Sequence, residues 1–312
     1  MPTPAAQLSK DDRHPLHQSE KNHHPPSTPK PRVPSNIFKK KCDDDAAAAR
    51  TTPTVSPDMR MAVGRGVDQR LRGRDAGQPR KNDFLDVLLD VAAREDGKDL
   101  LDRETLRSHF TDLFAAGSDT SSSTVEWAMT ELLQNPSSMA KVCDELAQII
   151  GSRRNIEEAD IVRLPYLQAV IKETFRLHPP APLLLPRQPE MTVKIAGCTI
   201  PKGSRVFINV WAIGRDKDVW TEPEKFMPER FLGLVIDFRG VDFELLPFGA
   251  GRRICPGMAL AIRMVHVMLA SLLNQFKWSL PVNLERDGID MEDQFGLTLA
   301  KVVPLCIIAT PI

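Results

Sequence analysis

Ten consecutive residues, Phe248-Gly249-Ala250-Gly251-Arg252-Arg253-Ile254-Cys255-Pro256-Gly257, hold the densest chemistry in the chain. One cysteine sits in a glycine-rich loop, behind an aromatic residue and an arginine. Directly after it comes an apolar run at helical spacing: Met258, Leu260, Ile262, Val265, Met268, Leu269 and Leu272. A thiolate at the start of a helix is stabilised by the helix dipole and by backbone N–H groups that have no partner inside the helix. Glycine lets the backbone pass close to a large flat ligand. Phe248 can shield the sulfur from water, and Arg253 can pair with an anionic group on that ligand. These are the parts a haem iron needs when its axial ligand is sulfur. The plain alternative is a buried cysteine beside a turn, the ordinary fate of a lone cysteine. The order of aromatic, glycine, arginine, cysteine and glycine within one short loop argues against it.

Several elements must position that loop. Apolar periodicity predicts the end of a basic helix over 67–74 and an amphipathic helix over 83–93 through Phe84, Leu85, Val87, Leu88 and Val91. Asp102 is the expected N-cap of a long helix running to Gln134, where Asn135-Pro136 stops it. Helices over 137–150, ended by Gly151, and over 166–177, ended by Pro179-Pro180, follow. The segment 191–210 alternates on a shorter period, with turns at Ala196-Gly197 and Pro201-Lys202-Gly203, and predicts a small antiparallel sheet. The tail predicts a hairpin between Leu297-Thr298-Leu299 and Pro304-Leu305. The expected class is mainly α with a small antiparallel β-sheet.

Residues 1–60 differ from the rest. They are rich in proline, carry Lys39-Lys40-Lys41 against Asp43-Asp44-Asp45, and hold few large apolar side chains. Such a stretch buries too little apolar surface to offset its ordering entropy and is expected to be disordered. His14, His17, His23 and His24 within it read as solvated rather than metal-bound. The whole chain has 312 residues, a formal net charge of +0 and five cysteines, none at C-x-x-C spacing. The length allows a sizeable core, and the charge gives no general attraction to nucleic acid or an anionic membrane. The cysteines point away from a disulfide framework or a zinc site. No run reaches the about 20 apolar residues of a bilayer span.

Three further groups of residues support the loop. Ala116-Gly117-Ser118-Asp119-Thr120 interrupts the long helix, and a mid-helix glycine–serine pair favours a kink or local widening. Asp119 and Thr120 then form an acid–alcohol pair suited to relaying protons to bound dioxygen. The competing reading is an exposed polar patch whose hydroxyls back-bond to the helix. Glu173 and Arg176 stand one turn apart and can pair. A second E-x-x-R copy, Glu104 to Arg107, reads as a solvated helix pair. Arg187 follows the Leu183-Leu184-Leu185-Pro186 run and by itself is an ordinary surface arginine.

Taken together, these residues resemble the cytochrome P-450 superfamily. The loop matches the family's haem-binding pattern F-x-x-G-x-R-x-C-x-G through Phe248, Gly251, Arg253, Cys255 and Gly257. Residues 116–120 are similar to its oxygen-activating helix motif, A-G-x-D-T-S/T. Glu173, Arg176 and Arg230, the last within Pro228-Glu229-Arg230-Phe231, resemble its Glu–Arg–Arg network. Residues 209–216 look like the plant branch, with Lys217 in place of the usual proline. The resemblance covers about residues 66–312 and implies the C-terminal portion of the P-450 fold, with 61–312 a partial domain.

That resemblance implies haem b (iron protoporphyrin IX) with Cys255 as the iron ligand. It makes Asp119 and Thr120 the proton-delivering pair and gives Glu173, Arg176 and Arg230 a structural role. Arg253 and Arg187 are placed at the propionates, and Phe114, Ala115, Leu183, Leu184, Leu297 and Thr298 toward substrate; otherwise those six are core residues. The implied reaction inserts one oxygen atom of O2 into a small apolar plant metabolite, terpenoid- or phenylpropanoid-like. Electrons would come from NADPH through a flavoprotein reductase, since the chain has no dinucleotide-binding glycine motif. Family members sit on the cytosolic face of the endoplasmic reticulum membrane. Without the family's anchor and N-terminal elements this chain is expected in the cytoplasm, with a large apolar face exposed and haem weakly held. Two competing functions are a catalytically inactive fragment that cannot retain haem, and a haem-thiolate isomerase or dehydratase. Asp119-Thr120 argues against the second, because such members commonly lack the pair.

Overall fold

The computed structural model describes residues 57–94, 101–151, 154–296 and 298–312. The proline-rich stretch before residue 57, with its histidines, lies outside the described residues, as does Leu297. In chain order the helices are α1 (Pro57–Asp75), α2 (Phe84–Ala92), α3 (Arg103–Gln134), α4 (Pro136–Ile149) and α5 (Pro165–Leu177). The hairpin β1 (Val193–Ile195) and β2 (Cys198–Ile200) comes next, then the short α6 (Val210–Ile213) and the long α7 (Met258–Gln275). The chain closes with β3 (Phe276–Ser279), α8 (Val282–Asp287), β4 (Asp293–Gln294), β5 (Ala300–Lys301) and β6 (Ile308–Pro311). The mainly helical class with small antiparallel sheets is the one expected.

Helix ends follow local chemistry. The Asp83 carboxylate accepts the Asp86 N–H at 3.0 Å, and Asp102 accepts the Thr105 N–H at 2.7 Å. Each thereby satisfies an N–H that the helix leaves without a partner. Pro136 stands in the first turn of α4, where its missing N–H costs nothing. The first turn of α5 is capped from another helix: the N–H groups of Tyr166 and Leu167 donate to the Glu145 carboxylate of α4 at 2.7 and 2.9 Å. That anion also opposes the positive end of the α5 dipole.

Two expectations are corrected. α3 runs from Arg103 to Gln134 as one uninterrupted α-helix, so the widening expected at Gly117-Ser118 does not occur. Thr120 Oγ1 donates to the Ala116 carbonyl at 2.6 Å, Ser122 Oγ to Ser118 at 2.9 Å and Thr124 Oγ1 to Thr120 at 2.8 Å. These hydroxyls use second lone pairs on carbonyls already in the ladder, which absorbs the polar run without breaking it. In the tail, β5 pairs with β4 through Asp293↔Lys301 and Gln294↔Ala300, not with the Pro304 segment. Proline has no N–H to give a ladder. The backbone groups of Leu299 are also spent elsewhere: its N–H donates to Pro180 and its carbonyl accepts from Ser123. The final strand β6 pairs antiparallel with β3.

The core joins the C-terminal half of α3 to α4, α5 and α7. Ala128, Leu132, Val142, Leu146, Leu167, Ile171, Leu269 and Leu273 are all buried there. α7 is, among the described residues, the one helix long and apolar enough to cross a membrane by length and composition. Its Val265, Leu269 and Leu273 face the core, as in the central helix of a folded domain. On another face Leu260, Met264 and Met268 lie exposed at a spacing of four residues, which explains why it is apolar nearly all round.

Candidate haem-thiolate site

The cysteine loop is held from inside. Phe248 lies edge-on to Phe175 of α5 at 5.2 Å and to Phe238 at 6.0 Å, which fixes the loop's start to the core. The Cys255 N–H donates to the Phe248 carbonyl at 2.9 Å and closes the loop on itself. Between them, Gly251 takes φ +67° and opens a short 3-10 turn, Gly251–Arg253, that presents Arg253 to solvent. Cys255 is half-buried and stands just ahead of α7, whose N-cap is Gly257. Its Sγ would lie 3.8 Å from a Cβ at Gly257. Gly240 packs behind the loop at φ +79°, where a Cβ would come 2.8 Å from the Gly249 carbonyl. Only glycine permits that approach.

Phe175, which meets Phe248, stands on α5 between two members of a buried charge network. Arg176 Nε and Nη2 donate to the two Glu173 oxygens at 2.7 and 2.8 Å, and both side chains are fully buried. Arg230 Nε donates to Glu173 Oε1 at 3.0 Å, and the Met227 N–H to the same oxygen at 2.8 Å. The remaining Arg176 donors reach the carbonyls of Gly214, Pro223 and Lys225. A Cβ at Gly214 would stand 2.3 Å from the Arg176 carbonyl, so glycine is required there too. Trp220 lies under both guanidinium groups. The sequence alone makes E-x-x-R a weak signal, and the structure separates its two copies. Arg107 pairs with Asp68 of α1, which also takes Arg103, so the first copy ties α3 to α1.

Arg187 also comes close to the loop. Its backbone exchanges two hydrogen bonds of 2.8 Å with Val206. A Cβ at Gly249 would meet Leu184 Cδ1 at 3.4 Å and Arg187 Nη2 at 3.9 Å. Leu184, Arg187 and the start of the cysteine loop therefore line one place. Leu184 holds φ +50°, a left-handed conformation unusual for leucine and costly without support.

On α3, Ala116, Gly117 and Ser118 are exposed, and Asp119 and Thr120 are half-buried at the edge of the core-facing half. Of the six residues expected toward substrate, Phe114 is 55% exposed and Leu183, Leu184 and Thr298 are half-buried. Ala115 is buried, which makes it a packing residue; it is turned about 100° from Phe114 on the helix. A groove of about 700 Å³ between α1, α2 and α3 takes in Phe110 and Phe114 but no residue of the cysteine loop.

The donor set fits an axial haem ligand. Among the described residues no three His, Cys, Asp or Glu side chains gather into a metal-binding group. A single soft sulfur on a glycine-lined loop suits a metal whose other ligands come from a macrocycle. Sequence reasoning missed Gly240 and Gly214, whose need shows only when distant backbone meets them. It also missed Trp127, Glu131, His178 and Lys301, a buried polar group between α3 and the tail with no spacing signal.

The family model for cytochrome P450 matches residues 61–302. Geraniol 8-hydroxylase of Swertia mussotii is 52% identical over 246 residues, 79% of this chain and 49% of that one. Carnosic acid synthase of Rosmarinus officinalis is 50% identical over 240 residues, 77% of this chain and 47% of that one. A solved zebra fish cytochrome P450 with abiraterone superposes with a TM-score of 0.71 at 28% identity, covering 91% of this chain and 67% of that chain. The chain spans about half the length of the curated relatives it matches. It belongs to the cytochrome P450 family.

Proposed function

We propose that this chain carries the haem-binding and oxygen-activating part of a plant monooxygenase. The observation that carries the reading is the Cys255 loop, closed by the Cys255–Phe248 hydrogen bond and braced by Gly240. Cys255 would hold the iron through sulfur, with Phe248 limiting water access and Gly251 and Gly257 leaving room for the macrocycle. Arg253 and Arg187 would meet its carboxylates. Haem b, when bound, supplies dioxygen activation and transfer of one oxygen atom to substrate. Thr120 Oγ parks its own proton on the Ala116 carbonyl and so offers a lone pair, and the Asp119 carboxylate one residue away would relay protons to it from solvent. The Glu173, Arg176 and Arg230 network would hold α5 rigid, and with it Phe175 against Phe248.

The relatives' names, hydroxylases of geraniol and a synthase of carnosic acid, support a small apolar terpenoid-like substrate. An NADPH-dependent flavoprotein reductase is the proposed electron donor and the endoplasmic reticulum surface the proposed setting. Turnover of geraniol by the haem-loaded chain with reductase and NADPH tests this, with loss of product on Asp119→Asn as the expected result. A second reading, that the chain alone does not retain haem, is favoured by the exposed Leu260 and Met264, 67% and 48% accessible. Haem titration separates the two: stoichiometric, slowly released haem supports the first reading, and rapid loss the second.

A further inference from the structure

Three side chains from three parts of the chain form a buried stack. The His178 ring, just past α5, lies 3.8 Å from the Trp127 ring of α3 and within 5° of parallel. Lys301 Nζ of β5 sits 4.4 Å over the same Trp127 ring. Two groups this close to one ring centre must take opposite faces, so the indole is held between imidazole and ammonium. His178 Nε2 donates to Glu131 at 2.7 Å, and the ammonium also reaches the Asp290 carbonyl. All four side chains are buried.

The stack stands where two flanking segments are sewn together. The Leu299 N–H donates to the Pro180 carbonyl at 2.9 Å, and Ser123 Oγ of α3 donates to the Leu299 carbonyl at 2.8 Å. Pro180 is two residues beyond His178, and Leu299 is two residues before Lys301. The next residue, Ala181, accepts the Leu184 N–H at 3.1 Å and opens the turn in which Leu184 holds its left-handed backbone, tied down by Pro182 and Leu183 carbonyls that accept from Trp211 and Ile208. The tip at Thr298-Leu299 and the wall at Leu183-Leu184 thus share one foundation.

We propose that the Lys301–Trp127–His178 stack is a positioning device that fixes Thr298-Leu299 against Leu183-Leu184 and so selects which atom of the substrate is oxidised. It rests on the monooxygenase reading above. Cation–π contact is strongest where, as here, the cation is desolvated. Loss of the cation should therefore loosen both segments together while leaving the cysteine loop intact.

The test is hydrogen exchange and product analysis on the full haem-loaded chain, with geraniol as probe. Lys301→Met and His178→Gln are predicted to speed exchange about tenfold or more in both 179–187 and 289–302, leaving 258–275 unchanged. They should also shift the ratio of hydroxylated products. Lys301→Arg, which keeps a cation over the ring, should restore both readouts. Faster exchange in only one segment, or throughout the chain, would overturn the proposal, as would an unchanged product ratio. Absence of a thiolate spectrum in the unaltered chain would overturn the monooxygenase reading, and selection of the oxidised atom with it, whatever the exchange shows.

Discussion

Glutamine at position 173 is the sharpest structural perturbation available. Glu173 accepts four hydrogen bonds, from Arg176 Nε and Nη2, Arg230 Nε and the Met227 N–H. Glu173→Gln keeps the volume but removes the charge and turns an NH2 toward guanidinium donors that have no other anion beside them. Breaking one side of a buried ion pair costs about 3–5 kcal/mol. A folded domain has about 5–15 kcal/mol in all, so the loss is a large share of it. Urea unfolding followed by tryptophan fluorescence reads the change, because Trp220 lies 5.4 Å from the Arg176 guanidinium and 5.9 Å from that of Arg230. Glu104→Gln, in the exposed copy of the same motif, should move stability by less than about 0.5 kcal/mol. If Glu173→Gln unfolds within about 1 kcal/mol of the unaltered chain, the network does not brace the fold.

Other outcomes follow from the same geometry. Gly240→Ala should loosen the cysteine loop and accelerate haem release with little change in helix content by circular dichroism, because its Cβ would come 2.8 Å from the Gly249 carbonyl. Thr120→Val loses only the bond to Ala116 and should leave stability within about 1 kcal/mol, yet raise oxygen consumption relative to product. Acid should weaken the fold in two stages, read by thermal melting against pH. Burial holds the His178 and His266 pKa values below the ordinary imidazole range, with the Glu131 carboxylate only partly opposing this at His178. The unfolded chain then takes up these protons first, so stability falls as pH drops below about 6.5. At Asp86, burial alone would raise the pKa, but Arg70, Arg74 and the N–H groups of Lys81 and Asn82 prevail and hold it at about 2. Its stabilisation is complete above about pH 4 and is lost as pH falls through 2. Asp86→Asn should flatten that second stage.

Much of this is legible in the sequence alone. Asp83, Asp102 and Pro136 mark helix ends through chemistry that acts within four residues, so spacing alone finds them. The cysteine loop was legible for the same reason: Phe248 to Gly257 is one contiguous segment. What escaped detection depends on residues far apart in sequence. Nothing near Gly240 says that the Gly249 carbonyl will arrive, and nothing near Lys301 says that Trp127 will. The polar run at 116–120 misled because its composition predicts a break, whereas each hydroxyl found a carbonyl one turn back. The tail hairpin misled because Leu299 had already spent its backbone on Pro180 and Ser123.

The ferrous carbonyl spectrum of the haem-loaded chain, compared with that of its Cys255→Ser variant, reads directly whether Cys255 holds the iron. Sulfur ligation by Cys255 gives the long-wavelength Soret band in the unaltered chain and its disappearance in the variant. A histidine-type band in the unaltered chain, or the same spectrum in both, would contradict it.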